Sequence, residues 1–424
     1  MKIEIKNGRI VDPASGRNEN GALYLADGLI AGIGAAPAGF KADKVIDAAG
    51  KVVCPGLVDL CARLREPGFE YRATLESEMR AAVAGGITSL VCPPDTDPVL
   101  DEPGLVEMLK RRATMANLAR VYPLGALTLG LQGRKLAEMT ELGEAGCIGF
   151  FQADQPIHDT MVLYRALQYA ATFGYTVWLR PQDAYLAADG IAHDGEVASR
   201  LGLAGVPASA ETVAIATIAT LMRETGARVH LARLSSAGGV DLVRQAKAEG
   251  LPLSCDVGIH HLLLTDRDIG YFDSQYRFTP PLRSPADRDA LSKAVQDGTV
   301  DAICSDHTPV DDDAKNVPFA EAEPGASTLE TFLSLTLKWA EDANVPLPKA
   351  LAKISADPAR VLGINAGSFA IGAPADICIF NPRAFWVITA QTLVSQGKNT
   401  PYMGRELQGK VTHTLVGGQT VFPG

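Results

Sequence analysis

The chain has 424 residues, of which 47% are hydrophobic and 21% charged, enough for a large core in one main domain with a smaller companion. Its 39 Lys and Arg against 49 Asp and Glu give a net charge of −10, which disfavours binding to nucleic acid or anionic membranes. The N-terminus lacks an apolar signal core, no apolar run is long enough for a membrane span, and the seven dispersed cysteines contain no CxxC pair, so we expect a cytoplasmic protein with reduced thiols.

Both ends of the chain carry short alternating segments that predict β-strands separated by turns. The N-terminal segments include IEIKNGRIVD at 3–12 and KVIDAAGKVVCPG at 44–56. The tail has the same pattern in KVTHTLVGGQTVF at 410–422. Neither end has enough strands to bury a face alone. We therefore predict that residues 1–53 and 366–424 form one small composite β domain and that residues 54–365 form a second domain.

The middle of the chain alternates β-branched apolar bursts with helical patterns that often end in glycine. Eight bursts occur, at 56–64, 86–94, 120–127, 147–152, 176–181, 228–235, 251–258 and 301–307. Strand–helix alternation repeated eight times predicts an α/β fold of the (β/α)8 TIM-barrel type. An open doubly wound sheet is the alternative, but no glycine-rich phosphate-binding sequence follows the first strand.

Functional side chains of such barrels lie at the carboxyl ends of the strands. Arginines dominate the candidates there, and only Asp306, beside His307, is typical of a catalytic or metal-binding strand end. Several guanidinium groups in one cavity would repel a divalent cation. The candidates are Asp59, Cys61, Arg63, Arg65, Asp95, Gln152, Arg180, Arg233, Asp256 and Asp306.

Other chemistry-bearing residues give weaker signals. None of the histidines forms an H-x-H or H-x-x-x-H motif, so each is interpreted as a hydrogen-bonded or exposed ring. Ser235 and Ser236 follow a strand but lack the G-x-S-x-G context of a nucleophile. The acidic run at 311–313 is interpreted as a solvated loop, and Cys61 and Cys304 as buried thiols.

Longer motifs resemble those of the dihydroorotases, a family of cyclic amidohydrolases. The resemblance spans essentially the whole chain and implies a TIM-type barrel with a composite β domain. The motifs are PGLVDL and LREPG within 55–68, GEVASRLGLAGVPASAE at 195–211, HHLLLTD at 260–266, PPLRSPADRDAL at 280–291, SDHTP at 305–309, KNVPFAEAEPGASTLET at 315–331 and GAPADICIFNP at 372–382.

The family's metal ligands are not matched. Cys61 and Arg63 stand at the positions of the first-strand H-x-H motif, and Arg180 and Arg233 stand at those of two further histidines. Residues 151–154 stand in place of the family's S-D-D-G segment, which contains a metal-bridging Asp, so Gln152 is counted among the degenerate metal positions. Val310 stands in place of the catalytic-loop histidine. Only Asp306 is retained. The resemblance therefore implies that the family's zinc is lost and that no metal or other cofactor is bound.

The family's substrate contacts are altered as well. Arg65 corresponds to the arginine that binds the substrate carboxylate, but Asp95 and Thr279 replace two asparagines, and Asp95 would repel that carboxylate. In the family, zinc polarises the amide carbonyl of a cyclic substrate and supplies the hydroxide nucleophile. Without the imidazole ligands neither role is filled, so Arg65, Asp95, Thr279 and Asp306 are expected to be vestiges. We further expect Arg63, Arg180 or Arg233 to pair with Asp306.

Three functions follow from this comparison. The first is a noncatalytic, dihydroorotase-like subunit with a structural or regulatory role, since inactive homologues in this family associate with aspartate carbamoyltransferase, the preceding enzyme of pyrimidine synthesis. A hetero-oligomer is then expected, with the loop at 315–331 as a candidate contact. The second is an active cyclic-amide hydrolase that is metal-free or uses Cys61 and Asp306. The third, weaker reading is a small-molecule binding module.

Overall fold

The computed structural model describes residues 1–423, beginning with strands that belong to the smaller domain. Alternation of buried and exposed side chains along β1 gives it one apolar face, with Ile3, Ile5 and Ile10 pointing inward. A tight turn joins it to β2, which pairs with it antiparallel. These strands are β1 (Lys2–Asp12), β2 (Arg17–Ala26), β3 (Leu29–Ile33), β4 (Lys44–Asp47) and β5 (Val52–Pro55).

The middle of the chain alternates short parallel strands with helices. In chain order the elements are β6 (Leu57–Asp59), α1 (Leu75–Ala84), β7 (Ile87–Cys92), α2 (Pro103–Ala116), β8 (Arg120–Pro123), β9 (Gly125–Ala126), α3 (Met139–Ala145), β10 (Phe150–Phe151), α4 (Thr160–Phe173), β11 (Thr176–Leu179), α5 (Ala184–Ala187), β12 (Ala192–His193), α6 (Glu196–Leu201), β13 (Gly205–Val206), α7 (Ser209–Thr225), β14 (Arg228–Leu231), α8 (Ala237–Ala248), β15 (Leu253–Gly258), α9 (Ile259–Leu263), α10 (Pro285–Asp297), β16 (Ala302–Cys304), α11 (Phe332–Asp342), α12 (Leu347–Ala352) and α13 (Ala356–Leu362). Short 3-10 turns occupy Leu129–Leu131, Asp266–Ile269 and Ser274–Tyr276.

These parallel strands close into a barrel. One run of pairing links β6, β7 and β8, and another links β9, β10, β11, β14, β15 and β16. Leu124 joins the two runs, because its amide donates to the Cys92 carbonyl at 3.0 Å. On the other side a parallel bridge pairs Ala62, after β6, with His307, after β16. The predicted (β/α)8 barrel is thus confirmed, and each of the eight predicted bursts contains a barrel strand.

Local sequence signals explain where several helices begin and end. Thr74 caps α1 and Ser284 caps α10, each through a reciprocal capping box. Helices α4, α7 and α10 end at Gly174, Gly226 and Gly298, which adopt φ values of 72°, 66° and 85°. A residue with a Cβ is strained in this left-handed conformation, so glycine is suited to these ends.

The two ends of the chain build a single sheet. Its last strands are β17 (Ile377–Val387), β18 (Glu406–Val416) and β19 (Gln419–Phe422). The order β19-β18-β17-β5-β1-β2-β3 places β5 between strands from the two ends, with β4 paired to β1. The limit predicted after residue 53 falls inside β5, which continues to Pro55. Apolar side chains from both ends, such as Ile5, Leu25 and Ile379, share one core.

Two further features concern the chain as a whole. All seven cysteines are free and buried. Among residues 1–423, no helix combines the length and the apolar character that crossing a bilayer requires.

Candidate functional site

A cavity of about 150 Å³ opens at the carboxyl ends of the barrel strands. Charged side chains make up most of its wall, although the strands that carry them are apolar along their length. The lining residues are Arg63, Arg65, Arg72, Asp95, Asp154, Arg233, Thr279, Asp306, Thr308, Glu323, Pro324 and Gly325. We refer to this space as the mouth cavity.

Asp154, three residues after β10, is the centre of the charge cluster. Its carboxylate accepts from Arg63 Nη2 at 2.7 Å and from Arg180 Nε at 2.6 Å, and it also pairs with Arg233 Nη2. Burial acts to raise the pKa of Asp154, but Arg233, Arg63 and Arg180 outweigh burial and hold it well below its usual range. Asp154 is therefore ionised at neutral pH and binds three arginines.

Asp306, the retained family carboxylate, lies deeper and is also paired. Arg233 Nη1 donates to Asp306 Oδ1 at 2.9 Å, and Arg63 Nη1 lies 3.6 Å from the same oxygen. Burial acts to lower the pKa of Arg233, but Asp154 and Asp306 raise it above its ordinary value. Arg233 thus bridges two carboxylates. The prediction that at least one of the strand-end arginines pairs with Asp306 is confirmed.

The two altered substrate positions join the same network. Asp95 accepts from Arg63 Nε at 2.7 Å, so its carboxylate is already neutralised by a cation. Thr279 contributes its main-chain carbonyl, which accepts from Arg233 Nη1 at 3.1 Å. Thr308 Oγ1 accepts from Arg63 Nη1 at 2.9 Å. Most polar groups of the mouth cavity are therefore bonded to one another.

Arg65 differs from the other arginines. Its Nε donates to the Pro309 carbonyl at 2.8 Å, but its terminal nitrogens make no hydrogen bond with the described residues. The residue is only 7% exposed and forms no ion pair with a described carboxylate. Burial, with the nearby Arg63, lowers the pKa of Arg65 to about 10. Arg65 remains a cation at neutral pH and supplies unpaired donors to the mouth cavity.

The backbone at the mouth is strained at three of these residues. Arg65, Arg233 and Asp306 adopt φ values of 64°, 58° and 49°, in the left-handed region that disfavours side chains with a Cβ. Each such residue costs on the order of 1 kcal/mol and persists only where its surroundings hold it. The packed barrel therefore fixes the direction of these three side chains.

Two residues selected from the sequence lie outside the cluster. Gln152 turns away from the mouth cavity, because its amide nitrogen donates to the Leu131 carbonyl at 2.8 Å and its oxygen accepts from Thr128. His307 also turns away: its Nε2 lies 2.7 Å from Glu78, and its Nδ1 accepts from the Thr328 amide. His307 is therefore a buried, hydrogen-bonded ring, which agrees with the interpretation of the histidines from the sequence, and it does not face the mouth cavity beside Asp306.

The remaining strand-end candidates have structural partners. Cys61 Sγ lies 3.9 Å from Asp306, and burial raises the pKa of the Cys61 thiol. Asp59 accepts from the Ser305 amide at 2.8 Å, and burial raises the pKa of Asp59 to about 7. Asp256 lies 2.9 Å from His230, with both side chains fully enclosed. These groups hold strands together beneath the mouth.

Sequence reasoning did not single out Asp154 or Glu211. Asp154 is the last residue of the segment at the position of S-D-D-G, and its place after the fourth barrel strand is the signal that marks it as a mouth residue. Glu211, on α7, accepts from the hydroxyls of Ser235 and Ser236 at 2.6 Å each. The doublet of serines is thus a binding partner for a structural carboxylate, which agrees with their lack of nucleophile context.

The donor set at the mouth does not fit zinc. Zinc binds thiolates, imidazoles and carboxylates in a tetrahedral arrangement. Here the Cys61 thiol is protonated, the Asp154 and Asp306 carboxylates are bound to guanidinium groups, and the strand-end histidines His230 and His307 point elsewhere. Among residues 1–423, no three His, Cys, Asp or Glu side chains converge as a metal site would need.

Comparison with known proteins shows which family the chain resembles along its length. The family model described as Dihydro-orotase-like matches residues 50–238. A dihydroorotase-like protein from Pseudomonas aeruginosa is 47% identical over 424 residues, which is 100% of both chains. The chain belongs to the dihydroorotase family. The dihydroorotase-like protein of Pseudomonas putida is 46% identical to this family member, over 99% of this chain and 98% of its own.

Relatives with the plain family name are also similar along their whole length. The dihydroorotase of Geobacter sp. strain M21 is 38% identical, over 100% of this chain and 99% of its own. Among solved structures, an L-hydantoinase from Arthrobacter aurescens superposes with a TM-score of 0.88, at 24% identity and over 99% of this chain and 95% of its own. A D-hydantoinase gives 0.82 at 23% identity, over 99% and 95%. These structures confirm the barrel fold.

Proposed function

We propose that this dihydroorotase-family chain is noncatalytic and acts as a structural or regulatory subunit. The observation that carries the proposal is the contact between Arg233 and both Asp154 and Asp306, at the place where the family resemblance puts metal ligands. A guanidinium carries a permanent positive charge and has no lone pair to offer a metal. It therefore neutralises the carboxylates but supplies no activated water.

The mouth cavity also lacks the other parts of a hydrolytic site. Ring opening of a cyclic amide needs a nucleophile and a group that stabilises the developing oxyanion. Burial raises the pKa of Cys61, so its thiol is a poor nucleophile at neutral pH. Val310 stands at the position of the family's catalytic-loop histidine and is buried. Arg65 could bind an anion there but could not hydrolyse it.

The partner we propose is the catalytic subunit of aspartate carbamoyltransferase, in a cytoplasmic hetero-oligomer that involves neither nucleic acid nor membrane. Support comes from identity over the full length with relatives named dihydroorotase-like, combined with a mouth in which the family's ligand positions hold arginines. A protein that keeps the fold of an enzyme family without its catalytic residues can still bind another protein through its surface.

Co-expression with the transcarbamoylase tests the proposal. Size-exclusion chromatography with light scattering should show one large hetero-oligomer, and the transcarbamoylase should lose activity or assembly when this chain is left out. Separate elution at micromolar concentration, together with equal transcarbamoylase activity in the absence of this chain, would show that the proposal is wrong.

Arg65 favours a second candidate function, the binding of a small anion. The cavity wall carries four arginines and Arg180 pairs with Asp154 beside it, so five guanidinium groups stand against four carboxylates and one positive charge is left without a protein partner. The groups counted are Arg63, Arg65, Arg72, Arg180 and Arg233 with Asp95, Asp154, Asp306 and Glu323. A monocarboxylate should raise the melting temperature of the wild-type chain but not of Arg65→Met, and an equal rise in both would exclude this candidate.

A further inference from the structure

An exposed aromatic pair stands on a loop that follows β15. Tyr271 is 90% exposed and Phe272 is 38% exposed, and their rings meet edge to face with centroids 5.4 Å apart. Aromatic side chains are enriched among the residues that contribute most to protein–protein binding. Isolated exposed apolar residues are ordinary, but two exposed aromatic rings in contact form a contiguous apolar surface, which is typical of an interaction site.

The backbone holds this tip in one conformation. Gly270 and Phe272 adopt φ values of 56° and 62°, which turn the chain sharply on both sides of Tyr271. Before the tip, Asp268 accepts from the Thr265 amide at 2.7 Å, and after it Asp273 accepts from the Gln275 amide at 2.9 Å. A preformed tip loses little conformational entropy when it binds a partner.

The loop at 311–323 lies beside the aromatic tip and carries negative charge. The Lys315 ammonium donates to the Ser274 carbonyl at 3.1 Å, and Ser274 Oγ donates to the Lys315 carbonyl, so the two loops are joined. Two residues further on, Val317 is 37% exposed. Asp312 and Asp313 are exposed in the same loop.

The charge of this surface is unbalanced. Between residues 311 and 323 the chain has three aspartates and two glutamates but a single lysine, and that lysine is buried. Arg267, at the base of the aromatic tip, is an exposed cation. The surface is therefore apolar at its centre and mostly acidic at its edge. We name it the rim patch and define it as Tyr271, Phe272, Asp312, Asp313 and Val317.

We propose that the rim patch is the docking surface for a protein partner that presents lysine or arginine around an apolar hollow. The acidic edge gives electrostatic complementarity to such a surface and repels polyanions. It also disfavours a two-fold contact with a second copy of this chain through this patch, because both copies would bring the same acidic edge to the interface. This inference rests on the proposed function, which supplies the partner to be used as the probe.

The experiment measures the binding of the full chain to the purified aspartate carbamoyltransferase catalytic subunit of the same organism. Tyr271→Ala removes the aromatic centre, and the double variant Asp312→Lys with Asp313→Lys reverses the edge charge. Met115→Ala and Glu224→Lys are matched controls. They are exposed residues near the ends of α2 and α7, at the opposite face of the barrel.

Tyr271→Ala should weaken binding at least about tenfold, chiefly through faster dissociation. The double charge variant should slow association and reduce its dependence on salt. Both controls should bind within about twofold of wild type. Because these residues are exposed, circular dichroism and melting temperatures should be unchanged in all variants.

Two outcomes overturn the inference in different ways. If the wild-type chain binds the transcarbamoylase and Tyr271→Ala and the charge variant bind equally well, the rim patch is not the docking surface, although the proposed function stands. If the wild-type chain does not bind, the proposed function and this inference fail together. Light scattering on the chain alone, if it shows a dimer that Tyr271→Ala dissociates, would assign the surface to a second copy and also overturn the inference.

Discussion

At the scale of single residues, guanidinium groups neutralise the carboxylates of the mouth cavity. Arg233 contacts Asp154 and Asp306, and it is almost completely enclosed, with its Nε left without a partner. Removing one member of a buried ion pair leaves an uncompensated charge, which costs more than the pair itself contributes. The cluster therefore depends on every member being present.

Arg233→Met should lower the free energy of unfolding by about 3–5 kcal/mol, because it leaves Asp306 buried with only Arg63 nearby at 3.6 Å. Combining it with Asp306→Leu should recover part of the loss. Arg244→Met breaks exposed ion pairs and should change stability by less than about 1 kcal/mol. Urea unfolding checks all three variants. An unchanged value for Arg233→Met would contradict this account of the cluster.

The stabilisation provided by Asp154 should depend on pH. Its pKa in the folded chain lies below the ordinary 3.8, so the ionised form stabilises the fold above that pH, and the contribution disappears as the pH falls further. Asp154→Asn should therefore cost about 2 kcal/mol at pH 7 and progressively less below about pH 4. Unfolding curves from pH 7 to pH 2.5, with the exposed Asp241→Asn as control, measure the difference. A cost that is constant with pH would argue against a charged Asp154.

Sequence reasoning found the arginines of this site but not their arrangement. Arg63, Arg180 and Arg233 follow barrel strands, so their convergence was predictable from the fold. Asp154 as their common partner was not, because its contacts join residues 26 to 91 positions apart. Gln152 was placed at the mouth by its motif position, but the buried carbonyl of Leu131 offers its amide a better partner.

At the scale of elements, much of the loop at 311–331, which precedes α11, is packed into the protein. Phe319 and residues 326–331 are buried, and Gly325 adopts a φ of 110° where a Cβ would lie 2.4 Å from Thr308. The part of the loop open to a partner is thus limited to its first half, around Val317. The strands were predicted longer than they are: β6 ends at Asp59, and the following residues turn into the mouth cavity.

Lys315 should make the free energy of unfolding depend on pH, in the direction opposite to that of a lysine in a surface ion pair. Burial, with Arg277, lowers the pKa of Lys315 to about 7, while Asp273 and Glu323 act against the shift. A folded-state pKa below the unfolded value of 10.5 means that stability rises with pH between about 7 and 10.5.

Lys315→Met should remove that dependence. Relative to wild type, the folded state of the variant should be more stable at pH 7 than at pH 10, with the difference in unfolding free energy changing by about 3–4 kcal/mol over that interval. The exposed Lys293→Met is the control and should show no such change. Chemical denaturation at several pH values measures it. Parallel curves for wild type and Lys315→Met would mean that Lys315 is solvated in the folded chain.

At the scale of the whole molecule, the barrel and the composite sheet were predictable because strand–helix alternation and two β-rich ends are strong periodic signals. The closure of the barrel between Ala62 and His307, and the place of β5 between the two ends of the chain, depend on contacts distant in sequence. The same fold in hydantoinases and dihydroorotases does not decide activity, which depends on the mouth residues.

Metal content should follow from the donor set. Elemental analysis of the chain purified without added metal should find well under one equivalent of zinc, and added zinc should leave the melting temperature unchanged, because binding to the folded state would raise it. The variant Arg233→His restores one imidazole and serves as a comparison for weak binding. One equivalent of zinc in the wild-type chain, lost in Asp306→Ala, would contradict the reading of the mouth cavity as an ion-pair cluster.

The most direct test of the central claim is a turnover assay of the purified full chain on dihydroorotate and on hydantoin-like amides, with and without zinc. We expect no hydrolysis above background under any of these conditions, because the carboxylates are bound to arginines and no nucleophile is activated. Measurable turnover by the wild-type chain that Asp306→Ala abolishes would establish an active cyclic-amide hydrolase, with Cys61 and Asp306 as candidate groups, and would contradict a noncatalytic role.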